Sequence, residues 1–178
     1  MKILMINGSH RAGNTDIVVN RVKGLLERNC QVRVLVLRNI EMKLPDGCED
    51  CANCEICPNI NDSFARDIEP TIRDFDIYII ASPTYSDSVT PLTKIFWDRI
   101  VSWCKKDRMY LKNKKLAVIA HGMEDIKHLA SVVNWVKGVC RWEEAVYAGS
   151  LIFNSESKVG KLELEESQVE NFVKVLLS

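Results

Sequence analysis

The chain has 178 residues, 47% of them hydrophobic, and its 24 Lys and Arg residues are balanced by 24 Asp and Glu residues. This length suffices for one domain with a hydrophobic core. The zero net charge gives no electrostatic basis for nucleic acid or an anionic membrane as the main partner. No apolar run approaches the ~20 residues that span a bilayer, and the first residues lack the pattern of a signal peptide, so we expect a cytoplasmic protein.

Short apolar runs alternate with amphipathic stretches along the chain. The runs predict strands at Ile3–Ile6, Val32–Leu37, Ile77–Ala81, Leu116–Ala120 and Ala145–Ile152. The stretches predict helices at Asp16–Glu27, Pro91–Lys105, Glu124–Trp142 and Leu164–Leu177. This alternation predicts an α/β fold, a doubly wound five-stranded parallel sheet with right-handed crossovers. We expect a single domain over residues 1–178, with a cysteine-rich excursion at residues 41–61 after the second strand.

A loop rich in hydrogen-bond donors, Gly8-Ser9-His10-Arg11-Ala12-Gly13-Asn14-Thr15, joins the first strand to the first helix. Backbone N–H groups and the helix dipole make such a loop suitable for an anion. The loop lacks the Gly-Lys-Ser/Thr of a triphosphate site and the spacing of Gly-x-Gly-x-x-Gly. It therefore predicts a site for a single terminal phosphate. The alternative is a strand-to-helix turn that binds nothing.

A second loop, residues 81–91, follows the third strand. In open α/β sheets, ligands bind at the carboxyl ends of the strands where the strand order reverses. The loop after the third strand should begin at this point and lie beside the first loop. Its sequence offers the aromatic face of Tyr85 and the backbone N–H groups of residues 84–88. These groups suit a planar ring with polar edges. The alternative is an ordinary turn with a tyrosine in the core.

Together the two loops resemble those of the NAD(P)H-dependent FMN reductase branch of the flavodoxin-like superfamily. The first loop is similar to the phosphate loop Gly-Ser-x-Arg-x-Gly-Asn-Thr of that branch. Ser82-Pro83-Thr84-Tyr85 is similar to its Ser-Pro-x-Tyr loop, and residues 94–99 are similar to the Lys-x-x-x-Asp-Arg that follows. The resemblance implies a flavodoxin-like sheet of order 2-1-3-4-5. The cofactor-binding residues it implies are Ser9, His10, Arg11, Gly13, Asn14 and Thr15 around the FMN phosphate, and Pro83, Thr84, Tyr85 and Ser86 against the isoalloxazine ring.

A third cofactor contact is predicted after the fourth strand, at His121-Gly122-Met123, with His121 and Gly122 as the binding residues. Glycine lets the backbone approach a ligand closely. The imidazole of His121 could donate to the carbonyl edge of the ring. The alternative is a histidine at a strand end that is hydrogen-bonded to the backbone.

The resemblance implies an FMN-dependent oxidoreductase that passes electrons from NAD(P)H or a reduced carrier to a quinone, flavin or iron–sulfur acceptor. The flavin carries this chemistry, so no side chain is nominated as catalytic. The partners are then a nicotinamide donor and a small-molecule or protein acceptor, and the resemblance implies a homodimer or homotetramer. One alternative is an electron carrier without substrate turnover, and another is a redox or metal sensor.

Four cysteines, Cys48, Cys51, Cys54 and Cys57, recur at every third position. A C-x2-C-x2-C run suits three corners of a 4Fe-4S cluster. The subgroup of iron–sulfur flavoproteins carries a compact cysteine motif in the same excursion, but with a longer last gap than the two residues found here. A tetrathiolate zinc site and free or redox-active thiols are the alternatives.

Overall fold

The computed structural model describes residues 1–45, 47–48, 50, 59–103, 111–123 and 126–178, without the side chains of residues 101–103 and 126–127. Of the four cysteines predicted as metal ligands, Cys51, Cys54 and Cys57 lie outside the described residues.

The described residues form a layered α/β fold. Its strands are β1 (Lys2–Asn7), β2 (Gln31–Val36), β3 (Ile77–Pro83), β4 (Lys115–Gly122), β5 (Val146–Ser155) and β6 (Leu162–Glu163). Its α-helices are α1 (Asn14–Leu26), α2 (Pro91–Trp103), α3 (Ile126–Trp142) and α4 (Glu166–Leu177). Short 3-10 helices cover Leu37–Asn39 and Glu69–Asp74, and a π-helical turn covers Phe64–Ile68.

The strand order is β2-β1-β3-β4-β5-β6, which confirms the predicted 2-1-3-4-5 arrangement. The first five strands of the chain pair in parallel, and β6 pairs antiparallel with β5. The prediction of a five-stranded sheet was wrong, because β6 adds a sixth strand at the edge. Its two residues are too short to produce the alternating pattern that marks a strand in sequence.

Helices cover both faces of the sheet, and side chains of the central strands alternate between the two layers. Ile3 and Met5 of β1 pack with side chains of α1 and α4, whereas Leu4 and Ile6 pack with side chains of α2 and α3. All four are fully buried, as expected for strands covered on both faces. Within the described residues, no helix has the length and apolar character needed to cross a membrane.

The chain reverses direction in the sheet between β1 and β3. From β1 it passes to β2 on one side, and it returns to β3 on the other. The connections that leave the carboxyl ends of β1 and β3 therefore diverge and leave a crevice between them. Both loops singled out in the sequence begin at this point.

Candidate functional site

A pocket of about 240 Å³ opens at the carboxyl ends of β1, β3, β4 and β5. The predicted site residues that line it are Ser9, Arg11, Gly13, Asn14, Thr15, Pro83, Thr84, Tyr85, His121 and Gly122. Two other predicted residues, His10 and Ser86, are exposed and do not line it. Met123, which belongs to the third predicted contact, also lines the pocket, whereas sequence reasoning missed Ser155, Glu156 and Ser157.

One end of the pocket is the N-terminus of α1. The Asp16 carboxylate accepts a hydrogen bond from the N–H of Gly13 (3.0 Å), and the helical ladder starts where Ile17 donates to the Gly13 carbonyl (3.2 Å). The N–H groups of Asn14, Thr15 and Asp16 precede that first rung, so they have no carbonyl one turn back in the helix. Such groups favour an anion at this end.

Two predicted phosphate-binding side chains donate within the protein instead. The Ser9 hydroxyl donates to the carbonyl of Arg11 (2.8 Å). The Asn14 amide nitrogen lies within hydrogen-bond distance of three main-chain carbonyls, those of Glu156, Lys158 and Lys161 (3.0–3.3 Å). These bonds shape the loop and leave the first-turn N–H groups of α1, the Thr15 hydroxyl and further N–H groups of the Arg11 guanidinium to meet an anion.

The hairpin between β5 and β6 closes one side of the pocket. Gly160 donates its N–H to the side-chain oxygen of Asn14 (2.7 Å), and the Arg11 guanidinium donates to the Ser157 carbonyl (2.8 Å). Sequence carried no signal of this arrangement, because Asn14 and Arg11 bind main-chain groups and any residue supplies those. These contacts hold Glu156 and Ser157 at the edge of the pocket.

The other end of the pocket is formed by the loop after β3. Tyr85 and Ser88 exchange two main-chain hydrogen bonds (2.9 and 3.0 Å) around Ser86 and Asp87, whose φ angles are 46° and 56°. Positive φ at both central positions is the geometry of a type I′ turn. The turn leaves Tyr85 48% exposed, with its ring centroid 5.6 Å from that of His10.

Thr84 and Gly122 join the loops after β3 and β4. The N–H of Thr84 donates to the carbonyl of His121 (2.8 Å). The hydroxyl oxygen of Thr84 is buried and has no hydrogen-bond partner among the described residues. A Cβ on Gly122 would come 2.9 Å from a methyl group of Leu129 in α3, so the absence of a side chain there lets α3 pack closely against the end of β4. An unpartnered hydroxyl beside Tyr85 suits a planar ligand with a polar edge.

Gly8 connects the first loop to the start of α2. Its N–H donates to the Ala81 carbonyl (2.8 Å), and its own carbonyl accepts from the Thr90 hydroxyl (2.7 Å). A Cβ at this position would overlap the Thr93 hydroxyl. The close approach of these two backbones therefore requires glycine.

His121 lies at the floor of the pocket and is 6% exposed. Its Nε2 is 2.7 Å from the Thr15 hydroxyl, and its Nδ1 is 2.7 Å from the Ser155 hydroxyl. Burial, and after it the positive charge of Arg11, lower the pKa of His121 from 6.5 to about 4, so the ring is neutral at physiological pH. Both imidazole nitrogens are thus within hydrogen-bond distance of protein hydroxyls.

The model of the NADPH-dependent FMN reductase family matches residues 1–158. The chain belongs to this family. Two curated relatives are iron–sulfur flavoproteins. One, of Clostridioides difficile, is 31% identical over 141 residues, 75% of this chain and 61% of the relative. The other, of Archaeoglobus fulgidus, is 29% identical over 103 residues, 56% of this chain and 48% of the relative. The chain therefore spans about half to three fifths of their lengths.

Solved structures show the same fold. The crystal structure of RosB with bound 8-demethyl-8-formylriboflavin-5′-phosphate superposes with a TM-score of 0.72 at 17% identity, covering 99% of this chain and 77% of RosB. Agreement across nearly the whole chain at this low identity supports the layered fold described above.

The cysteine-rich segment of this member of the FMN reductase family is described at its two ends. Cys48 is exposed, and its Sγ accepts a hydrogen bond from the Asn59 amide (3.0 Å), which also donates to Asp50 (2.6 Å). Among the described side chains, no group of three or more His, Cys, Asp and Glu residues is arranged to hold a metal ion.

Proposed function

We propose that the chain binds FMN in this pocket and is an oxidoreductase that takes electrons from NADH or NADPH and passes them to a flavin, quinone or iron–sulfur acceptor. The observation that carries the proposal is the two-ended pocket. A helix N-terminus with Arg11 forms one end, and Tyr85 with the unpartnered Thr84 hydroxyl forms the other. Membership of the FMN reductase family supports FMN as the ligand.

The proposal assigns binding roles to the chain's own residues. The first-turn N–H groups of α1, the Arg11 guanidinium and the Thr15 hydroxyl would hold the phosphate. Pro83, Thr84, Tyr85 and Gly122 would hold the ring. When bound, FMN supplies the redox chemistry, and the protein supplies position, electrostatics and exclusion of competing reactions.

Flavin content and affinity test this assignment. We expect flavin released from the purified protein to be FMN, and the flavin-free protein to bind FMN more tightly than riboflavin. Arg11→Ala should weaken FMN binding at least about tenfold, since it removes a charge-assisted hydrogen bond. Arg21→Ala is the matched control, because this exposed arginine on α1 carries the same charge but does not line the pocket. Equal losses in both variants would contradict the assignment.

Turnover separates the oxidoreductase from the electron carrier. We expect the FMN-loaded protein to oxidise NADH or NADPH when free flavin, quinone or ferricyanide is present. Loaded protein that oxidises neither nucleotide with any of these acceptors would instead support a carrier fed by a reduced protein.

The cysteine run adds a second redox centre to the proposal. Both curated relatives are named iron–sulfur flavoproteins, and residues 48–57 of this chain contain a C-x2-C-x2-C run. A 4Fe-4S cluster on Cys48, Cys51, Cys54 and Cys57 stays a prediction, with a zinc site and free or redox-active thiols as the alternatives. Iron, sulfide and zinc analysis after anaerobic purification distinguishes the cluster from the zinc site, and protein with flavin but without metal would exclude both.

Assembly into a homodimer or homotetramer is also part of the proposal, carried over from the family resemblance. Sedimentation at several protein concentrations tests it, and a monomer at all concentrations would contradict it.

A further inference from the structure

The Ser155, His121 and Thr15 side chains form a buried chain of hydrogen bonds beneath the pocket. The imidazole lies between the two hydroxyls at 2.7 Å from each, and its ring stacks on Phe153 with a centroid distance of 5.0 Å and an interplanar angle of 15°. The exposed fractions of Ser155, His121 and Thr15 are 7%, 6% and 1%. This packing leaves the imidazole little freedom to turn.

A neutral imidazole carries a proton on only one of its two nitrogens, so the Ser155–His121–Thr15 hydrogen bonds have two possible arrangements. In one, Ser155 donates to Nδ1 and Nε2–H donates to the Thr15 oxygen, which leaves the Thr15 proton free to donate into the pocket. In the other, Thr15 donates to Nε2 and presents only lone pairs to the pocket. An anion is attracted by the first arrangement and repelled by the second.

Other side chains of the same loop do not decide this direction. The Ser9 hydroxyl already donates to the Arg11 carbonyl, and the Asn14 amide donates to the hairpin after β5. Thr15 is the loop hydroxyl whose proton direction is set from outside the loop, by His121.

We propose that Ser155 and His121 are positioning residues that orient the Thr15 hydroxyl so that it donates to the phosphate of FMN. His121 then contributes to phosphate recognition without contacting the phosphate, in place of the predicted contact with the flavin ring. This role rests on the proposed function, because the anion concerned is the phosphate of FMN. Riboflavin, which has the ring without the phosphate, is the matched probe.

The first test compares the dissociation constants of FMN and riboflavin in the full-length flavin-free protein. His121→Phe removes both ring nitrogens and should weaken FMN binding about tenfold while riboflavin binding changes little, since one hydrogen bond to a charged group is lost. His121→Gln places an amide donor near the position of Nε2 and should restore most of the preference for FMN. Phe172→Leu is the stability control: this buried side chain of α4 belongs to the same core cluster as Phe153 but does not line the pocket, so the change should lower stability and leave the preference unchanged.

Coupling to Thr15 is the second measurement. Thr15→Val removes the donor itself and should lower FMN affinity about as much as His121→Phe. Since both substitutions break the same chain, the double variant should bind FMN no more weakly than Thr15→Val alone. Two outcomes would overturn this relay, the orientation of Thr15 by Ser155 and His121. One is additive losses of FMN affinity in the double variant, and the other is an equal loss of FMN and riboflavin affinity in His121→Phe.

A spectroscopic readout does not depend on affinity. In protein labelled with ¹⁵N-histidine, His121 is assigned among the three histidines by its loss in His121→Gln. With FMN bound, its Nε2 should carry the proton and its Nδ1 should not. Protonation at Nδ1 would overturn the relay even if FMN binds. Wild-type protein that binds neither FMN nor riboflavin would instead overturn the proposed function, and the role of the relay with it.

Discussion

Arg99 of α2 and Asp62, which lies just after the cysteine-rich segment, form an ion pair withdrawn from solvent. The Arg99 Nη1 is 2.6 Å from Asp62 Oδ2, and the side chains are 2% and 0% exposed. The same carboxylate accepts hydrogen bonds from the N–H groups of Lys43 (2.8 Å) and Ala65 (2.9 Å). Burial by itself raises the pKa of Asp62, but the hydrogen bonds from Arg99, Lys43 and Ala65 outweigh it and lower the pKa. The pair therefore joins both ends of the cysteine-rich segment to α2.

Asp62→Asn should destabilise the protein by about 3–5 kcal/mol, because removing one partner of a buried ion pair leaves the other in a low-dielectric environment. Urea unfolding measures the change. Glu27→Ala is the control, since its pair with Lys23 is 3.3 Å long and both side chains are more than a third exposed. That control should cost less than about 1 kcal/mol. A similar cost for the two variants would contradict the structural importance of the buried pair.

The lowered pKa of His121 predicts a dependence of stability on pH. In the unfolded chain this histidine is protonated below its ordinary pKa of 6.5, whereas in the folded protein its pKa is about 4. Stability from the neutral ring is therefore complete above pH 6.5 and decreases as the pH falls toward 4. The decrease amounts to about 3 kcal/mol.

Urea unfolding of flavin-free wild type and His121→Gln between pH 4 and pH 7.5 checks this dependence. The difference between the two stability curves isolates His121 from carboxylates that titrate in the same range. Curves that run parallel over the whole range would refute the prediction.

Gly8→Ala should destabilise the protein by about 1–3 kcal/mol, because the new methyl group overlaps the buried Thr93 hydroxyl and forces the two backbones apart. Gly24→Ala in α1 is the matched control. Its Cβ meets no atom within 4 Å, so the substitution should stabilise the helix by about 0.5–1 kcal/mol. Thermal unfolding of both variants measures whether stability falls in Gly8→Ala and rises in Gly24→Ala. A Thr93→Ala substitution should recover part of the loss in Gly8→Ala, and no recovery would mean that the overlap lies elsewhere.

Asn14→Ala should loosen the hairpin after β5, because the Asn14 side chain bonds to Glu156, Lys158, Gly160 and Lys161. We expect faster amide hydrogen exchange over residues 156–161, with exchange in the buried strand β4 unchanged. Asn20→Ala, an exposed asparagine on the same helix, serves as the control. Unchanged exchange in the hairpin would show that its other contacts suffice.

Much of the fold was predictable from sequence. Apolar runs such as Ile3–Ile6 and Ile77–Ala81 lie in central strands, and the order 2-1-3-4-5 implied by the family resemblance is confirmed. The helix predicted at Asp16 begins two residues earlier, at Asn14, because Gly13 in extended conformation serves as its N-cap and Asp16 caps it from within the first turn. The positions of the strands and helices could be predicted because residue type and spacing reflect which side chains are buried.

The sequence by itself thus predicted the layers and the two loops that begin at adjacent strand ends, and the family resemblance implied the strand order. The partners of the polar side chains were decided only by the tertiary structure. Asn14 binds carbonyl groups 142 to 147 residues away, and His121 lies between hydroxyls of Thr15 and Ser155 from two other parts of the chain. Every residue has a main-chain carbonyl and many residues have a hydroxyl, so these partners produce no recognisable sequence pattern from which the contacts could be predicted. Their selection depends on which strand ends the sheet brings together.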